Sequence, residues 1–181
     1  MPELVSGASP GSRRFVPLRI AVLTVSDTRG EEEDKSGRLL VERLERDGHV
    51  LHEKRIVKDD IYAIRAVVSA WIADPAVDAV LSTGGTGLTG RDGTPEAVEA
   101  LLDKTIDGFG ELFRQLSYEE IGTSTIQSRA VGGVANGTFV FSLPGSSGAC
   151  GTAWDGIFHN QFDYRFQPCN FVELVPRLLE K

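Results

Sequence analysis

The sequence is short of several things at once. No apolar run approaches the ~20 residues that a membrane-spanning helix needs, so neither a membrane span nor a membrane partner is expected. Basic residues are in the minority: 19 Lys and Arg stand against 26 Asp and Glu, a formal net charge of −7. A general nucleic-acid binder needs a basic face for the phosphate backbone, so that class is excluded too. Only two cysteines occur, Cys150 and Cys169. They make no disulfide framework and fit a reducing, cytoplasmic setting. The three histidines, His49, His52 and His159, share no metal-ligand spacing and read as surface residues. There is no nucleophile elbow, no Ser-His-Asp order, no heptad and no Gly-X-Y period. Chemistry in this chain has to run without histidine or cysteine machinery.

What is present is an apolar share of 41% in 181 residues, enough for one core that buries roughly 70% of the unfolded surface. Residues 1–17 carry Pro, Gly and Ser with little periodicity and read as a flexible tail; residues 18–181 read as one domain. Ser12-Arg13-Arg14-Phe15 has the look of a twin-arginine export signal. The apolar stretch behind it follows Pro17 and Arg19 and runs straight into Asp27 and Arg29, which suits a buried strand and no export.

From residue 18 the pattern alternates strand and helix. Residues 18–26 are nearly continuously apolar, as in a strand buried on both faces. Asp34 is placed to cap a helix with Leu40, Val41 and Leu44 inward and Gly48 just past its end, and Glu31–Asp34 reads as a solvated acidic helix start. Residues 50–57 make a second strand, and Ile61, Ile64, Val68, Trp71 and Ile72 recur at helical spacing. Residues 77–83 make a third strand. Thr94 then serves as N-cap with Pro95 at N1, and Phe109, Leu112, Phe113 and Leu116 form the next amphipathic face. Asn136-Gly137 between residues 131–135 and 138–143 is a two-residue hairpin signal, which puts one antiparallel strand on the sheet. Pro144-Gly145-Ser146-Ser147 opens a last helix, on whose apolar stripe Cys150 packs; Cys169 also reads as a packing residue. The expected fold is a single three-layer α/β/α domain with a mostly parallel sheet plus an antiparallel hairpin strand.

Ligands of open parallel sheets bind beyond the carboxyl ends of the strands. Four polar segments fall there: Ser26-Asp27-Thr28, Lys58-Asp59-Asp60, residues 82–92, and Pro144-Gly145-Ser146. In Thr83-Gly84-Gly85-Thr86-Gly87 the glycines let backbone amides approach an anion, while Arg91 can neutralise a phosphate and Asp92 can hold magnesium. This is no Walker A loop, since no Gly-Lys-Ser/Thr follows. The literal GxGxxG over residues 85–90 follows the third strand, opens no helix and has its acid inside the loop, so it makes a poor dinucleotide fingerprint. Asp59 and Asp92 form a candidate carboxylate pair, and one or two carboxylates plus substrate phosphates is how magnesium is usually held. Plain alternatives stand beside these readings: Asp59 as a helix cap, Ser146 as a helix cap, and the Gly-rich segment as a mere connection.

Taken in order, these stretches are similar to the molybdopterin-binding domain family of MogA/MoaB type. The match runs from Ile20–Asp27 through Ser82–Gly87, Arg91-Asp92, Thr94–Ala97, Gly108–Glu111 with Arg114 and Ser117, and Thr125–Arg129 to Leu143–Ser146. Ile56–Asp59, Val68–Ile72 and Pro168–Phe171 resemble the family's B branch in particular. The resemblance implies a role in molybdenum cofactor biosynthesis and adenylylation of molybdopterin by Mg²⁺-ATP ahead of molybdate insertion. It places the catalytic and metal-holding carboxylates at Asp59 and Asp92. Substrate contacts fall at Ser26, Asp27, Thr83, Gly84, Gly85, Thr86, Gly87, Arg91, Ser117, Pro144, Gly145 and Ser146. It further implies a homo-oligomer, trimer or dimer of trimers, and other proteins of the pathway as partners. The alternative is a non-catalytic molybdopterin-binding or scaffold member of the same pathway.

Overall fold

The computed structural model describes residues 13–181. Six strands form one sheet in the order β2-β1-β3-β6-β5-β4. They are β1 (Arg19–Val25), β2 (Val50–Val57), β3 (Ala79–Thr83), β4 (Lys104–Thr105), β5 (Val131–Ala135) and β6 (Thr138–Leu143). Pairings β1–β2, β1–β3 and β3–β6 are parallel, while β5 runs against both β6 and β4. One antiparallel strand therefore sits in an otherwise parallel sheet. The two-residue β4 has too little apolar pattern to show in the sequence.

Side chains alternate across a strand, and β1 shows the consequence for the core. Ile20 and Val22 join Leu40 and Leu44 of α1 (Lys35–Arg46), Phe109 and Phe113 of α4 (Asp107–Ile121), and Cys150 of α5 (Ser147–Ala153). Ala21, Leu23 and Val25 face the other way, onto Ile64, Val68 and Trp71 of α2 (Ile61–Ala73) and Ala97 and Val98 of α3 (Thr94–Glu99). Two apolar layers, one on each face, hold the three-layer arrangement together. The stripe of α5 runs on through a π-helical turn, Trp154–Phe158, which keeps Trp154, Ile157 and Phe158 buried. The hairpin turn has Asn136 at φ 47° and Gly137 at φ 81°, the two left-handed residues a type I′ turn requires.

Several expectations are corrected by packing. His49 is 6% exposed, not a surface residue; its Nδ1 accepts from the Leu18 N–H at 3.1 Å, and its ring lies among Phe15, Trp154 and Phe162. Burial pushes it down to about 4. Asp34 does cap α1, accepting from the Gly37 N–H at 2.9 Å, but it is fully buried rather than solvated. It also accepts from the Thr24 hydroxyl at 2.8 Å and pairs with Lys54 at 2.7 Å. Burial alone would raise its pKa; the Lys54 ammonium and the Gly37 and Thr24 donors hold it below the usual carboxylate range. Cys169 is exposed, Leu112 is 42% exposed, and Gly93 rather than Thr94 occupies the cap position of α3. Of the segment read as a tail, residues 1–12 lie outside the described residues; the Phe15 ring sits 5.1 Å from that of His49, and Val16 packs against the core.

Candidate functional site

The parallel strands end at one edge, and local bonding ties the polar segments there into a unit. The Gly84 N–H donates to the Leu143 carbonyl at 3.0 Å and the Thr83 hydroxyl to the Pro144 carbonyl at 2.8 Å, fastening the Gly-rich loop to the end of β6. Gly84 is at φ 99°, and a Cβ there would lie 2.2 Å from the Val25 carbonyl, so only glycine fits between the ends of β1 and β6. The Thr94 hydroxyl is spent on the Gly84 carbonyl at 2.9 Å, holding the start of α3 against the loop.

Three aspartates meet at the rim. The Asp59 N–H donates to Asp27 Oδ1 at 3.2 Å, and the Gly93 N–H donates to Asp59 Oδ1 at 3.2 Å. Asp60, not Asp59, caps α2, accepting from the Ala63 N–H at 2.8 Å, so Asp59 is left to face the loop. Burial and the neighbouring charges of Asp92 and Asp27 raise Asp59 above the ordinary carboxylate value, although the Gly93 N–H pulls the other way. Asp92 moves downward, because Thr89 serves it with its hydroxyl at 2.5 Å and its N–H at 2.9 Å. Two carboxylates on one rim are thus pushed apart in acidity. Arg91 pairs with Asp27 at 3.1 Å and is 72% exposed at its side chain.

Inward of the rim lies a cavity of about 430 Å³. Its walls include the expected Gly85, Thr86, Gly87, Asp92, Ser117, Pro144, Gly145 and Ser146. Thr83 and Gly84 stand behind that wall, Thr83 fully buried with its hydroxyl also accepting from the Cys150 thiol at 3.3 Å. Ser26, Asp27, Asp59 and Arg91 belong to the rim rather than to the wall. Ser146 caps α5, accepting from the Ala149 N–H at 3.1 Å, and Ser26 accepts from the Thr28 and Arg29 N–H groups at 3.3 and 3.1 Å. Among the described residues the N–H groups of Gly85 and Thr86 have no protein acceptor. Such amides beside a helix N-terminus form a concavity suited to an anion.

Residues absent from the sequence-level site also contribute. Glu120 and Ser128 line the cavity, and Glu120 accepts from the hydroxyl of Thr152, another lining residue, at 2.7 Å. Arg129 grips the loop from behind, with Nε on the Thr86 and Gly87 carbonyls at 3.1 and 2.9 Å and Nη2 on the Asp92 carbonyl at 3.1 Å. Glu96 is its counter-ion. In the sequence it stands at the end of the family-like stretch Thr125–Arg129, which gives it no role; its grip on the loop shows only in the fold.

Among the described residues no group of three or more His, Cys, Asp and Glu gathers closely enough to hold a metal by itself. A crowded pair of carboxylates is nevertheless what magnesium uses when phosphate oxygens and water complete its shell. Burial, together with the charges of Asp92 and Asp27, raises the pKa of Asp59, and that crowded negative charge is what a divalent cation would offset. The donor set fits a divalent cation whose shell is completed by oxygens from outside the protein.

By fold and site the protein is an α/β domain that presents a Gly-rich loop and an acidic rim at the carboxyl edge of its sheet. The family model described as "Probable molybdopterin binding domain" matches residues 21–163, and the chain belongs to that family, in its MoaB branch. It is 58% identical over 160 residues to molybdenum cofactor biosynthesis protein B of Escherichia coli (strain K12), covering 88% of this chain and 94% of that protein. A crystal structure of a molybdenum cofactor biosynthesis protein B superimposes with a TM-score of 0.83 at 44% identity, covering 96% of this chain and 100% of that one. The molybdopterin biosynthesis enzyme MoaB of Thermus thermophilus gives 0.71 at 33% identity, covering 78% and 89%. No helix among the described residues is long and apolar enough to cross a membrane.

Proposed function

We propose that this chain binds molybdopterin in the 430 Å³ cavity and adenylylates it with Mg²⁺-ATP. The observation that carries this reading is the Gly-rich loop lying between two carboxylates: a Cβ on Gly85 would stand 2.8 Å from Asp59 Oδ2, and one on Gly87 would stand 2.6 Å from Asp92 Oδ2. A terminal phosphate oxygen of the pterin forms a bond to the α-phosphorus of ATP, the bond from that phosphorus to the bridging oxygen breaks, and pyrophosphate leaves with the electron pair. No protein nucleophile is needed; such a transfer depends on positioning and charge stabilisation. Bound magnesium would supply charge neutralisation at the phosphates, with Asp59 and Asp92 holding it. The free amides of Gly85 and Thr86 and the start of α5 bind phosphate oxygens, while Ser117 and residues 144–146 shape the pterin side.

The test uses purified full chain, molybdopterin, ATP and magnesium, with mass spectrometry for adenylylated pterin. Asp92→Asn keeps an acceptor for Thr89 but loses the charge, so it is expected to fold normally and lose at least ~100-fold in turnover, the scale of losing one electrostatic contact in a closed site. Full activity in that variant would remove the carboxylate pair from the mechanism. Pterin binding without product from the unaltered chain would leave a non-catalytic member of the pathway. The same proposal includes assembly as a trimer or a pair of trimers, supported by Tyr118, Ile121 and Ile126 lying 55%, 54% and 78% exposed along α4 and the turn after it. A monomer in sedimentation would remove that part alone.

A further inference from the structure

Arg129 makes its contacts behind the loop, and all of its loop contacts are to carbonyls: Thr86, Gly87 and Asp92. In a trans peptide the carbonyl and the N–H of the following residue point in opposite directions. Gripping the Thr86 carbonyl therefore turns the Gly87 N–H away from Arg129, and gripping the Asp92 carbonyl turns the Gly93 N–H away. Both peptide units lie against carboxylates. The Gly93 N–H donates to Asp59 Oδ1 at 3.2 Å, and a Cβ on Gly87 would stand 2.6 Å from Asp92 Oδ2. The Gly87 carbonyl, also held at 2.9 Å, leaves the Leu88 N–H directed outward.

We infer that Arg129 is a positioning residue that aims both rim carboxylates through two peptide units, setting Asp92 by way of Thr86–Gly87 and Asp59 by way of Asp92–Gly93. It touches neither carboxylate. Its fork is what makes this possible: one planar guanidinium reaches three carbonyls and Glu96 at once, which a lysine ammonium on a flexible stem cannot reproduce. Gly87 and Gly93 suit this role, because a Cβ at Gly93 would press to 2.9 Å on Ile61 and one at Gly87 would strike Asp92. The inference rests on the reading above for what the carboxylates do, but not for how they are held.

Two variants, Arg129→Lys and Arg129→Gln, test it by hydrogen–deuterium exchange of the full chain, read at Thr89 and Gly93, whose N–H groups donate to Asp92 and Asp59, against Leu23 and Leu81 in the sheet. Exchange is expected to quicken at least ~10-fold at the two loop amides in both variants while the sheet amides keep their rates, since loops open locally without global unfolding. In the adenylylation assay kcat is expected to fall ~10- to 100-fold with the pterin KM within about threefold, the scale of a small misplacement of reacting groups. Unchanged loop exchange in Arg129→Gln, or wild-type protection in Arg129→Lys, would overturn the inference. So would a uniform rise through the sheet, which marks an ordinary stability role, or a loss confined to KM. A wild-type chain with no adenylylating activity would sink the proposed function, while the exchange result would still decide for or against Arg129.

Discussion

Gly85 and Gly90 are both glycines of the same loop, and both belong to the literal GxGxxG, yet replacing each by alanine should give opposite results. Gly85 stands at φ 66°, and a Cβ there would lie 2.3 Å from Thr94 Oγ1 and 2.8 Å from Asp59 Oδ2. An L-residue in the left-handed region costs about 1 kcal/mol. The larger effect is on Thr94, fully buried, whose hydroxyl holds the Gly84 carbonyl at 2.9 Å. Displacing it leaves a buried acceptor unmet, at about 1–3 kcal/mol. Gly85→Ala should therefore destabilise by about 2–4 kcal/mol, which for a domain of this size lowers Tm by roughly 5–15 °C. A Cβ at Gly90 would have nothing within 4 Å, and the backbone there is not at positive φ, so Gly90→Ala should stay within ~0.5 kcal/mol of the parent. Urea unfolding followed by tryptophan fluorescence reads both, with Trp71 and Trp154 in opposite core layers as reporters. Equal stability of the two variants would refute the claim that Gly85 is fixed by its contacts with Thr94 and Asp59.

Two further expectations concern groups away from the reaction. His49 is held down to about 4 by burial, with Asp47, Asp163 and Asp78 pushing back only in part. Its unfolded form takes up a proton near pH 6.5 and its folded form does not, so this stability is fully present above pH 6.5 and is lost as pH falls toward 4, by about 3 kcal/mol. Denaturant midpoints that stay flat from pH 7 to 4.5 would contradict the buried, neutral imidazole. Cys150 is buried with its thiol pushed up to about 12, whereas Cys169 is exposed. A thiol reagent at neutral pH should label one site per native chain and two after denaturation; mass mapping that finds native label on Cys150 would refute that packing.

Much of the fold is legible because it is written in local periods. The apolar run of β1, the Asn136-Gly137 turn and the inward faces of α1 and α2 each carry a signal within a few residues, and each element stands where its pattern puts it. What misleads is chemistry set by distant partners. His49 looks like a surface residue because nothing beside it in the chain reveals that Phe15, Trp154 and Phe162 close over it. Asp34 looks solvated because it ends an acidic run, and Lys54, which compensates its burial, comes from the next strand. Thr94 looks like a cap because its type and position fit, but the Gly84 carbonyl takes its hydroxyl and Gly93 takes the cap position.

The site divides along the same line. Glycines, threonines and aspartates at strand ends advertise an anion site through their own backbone and side-chain chemistry, so the loop and rim can be named from composition and order. The groups that fix their geometry leave no such mark. Arg129 reaches carbonyls, which every residue has, so its partners Thr86, Gly87 and Asp92 form no pattern of residue types that selects an arginine more than forty residues away for two of them and nearly as far for the third. The same holds for Glu120, whose partner Thr152 lies on a different helix and meets it only once α4 and α5 are packed. The residue types of the proposed site are encoded locally, whereas their positioning depends on contacts that exist only after the sheet has brought β3, α3 and the segment before β5 together.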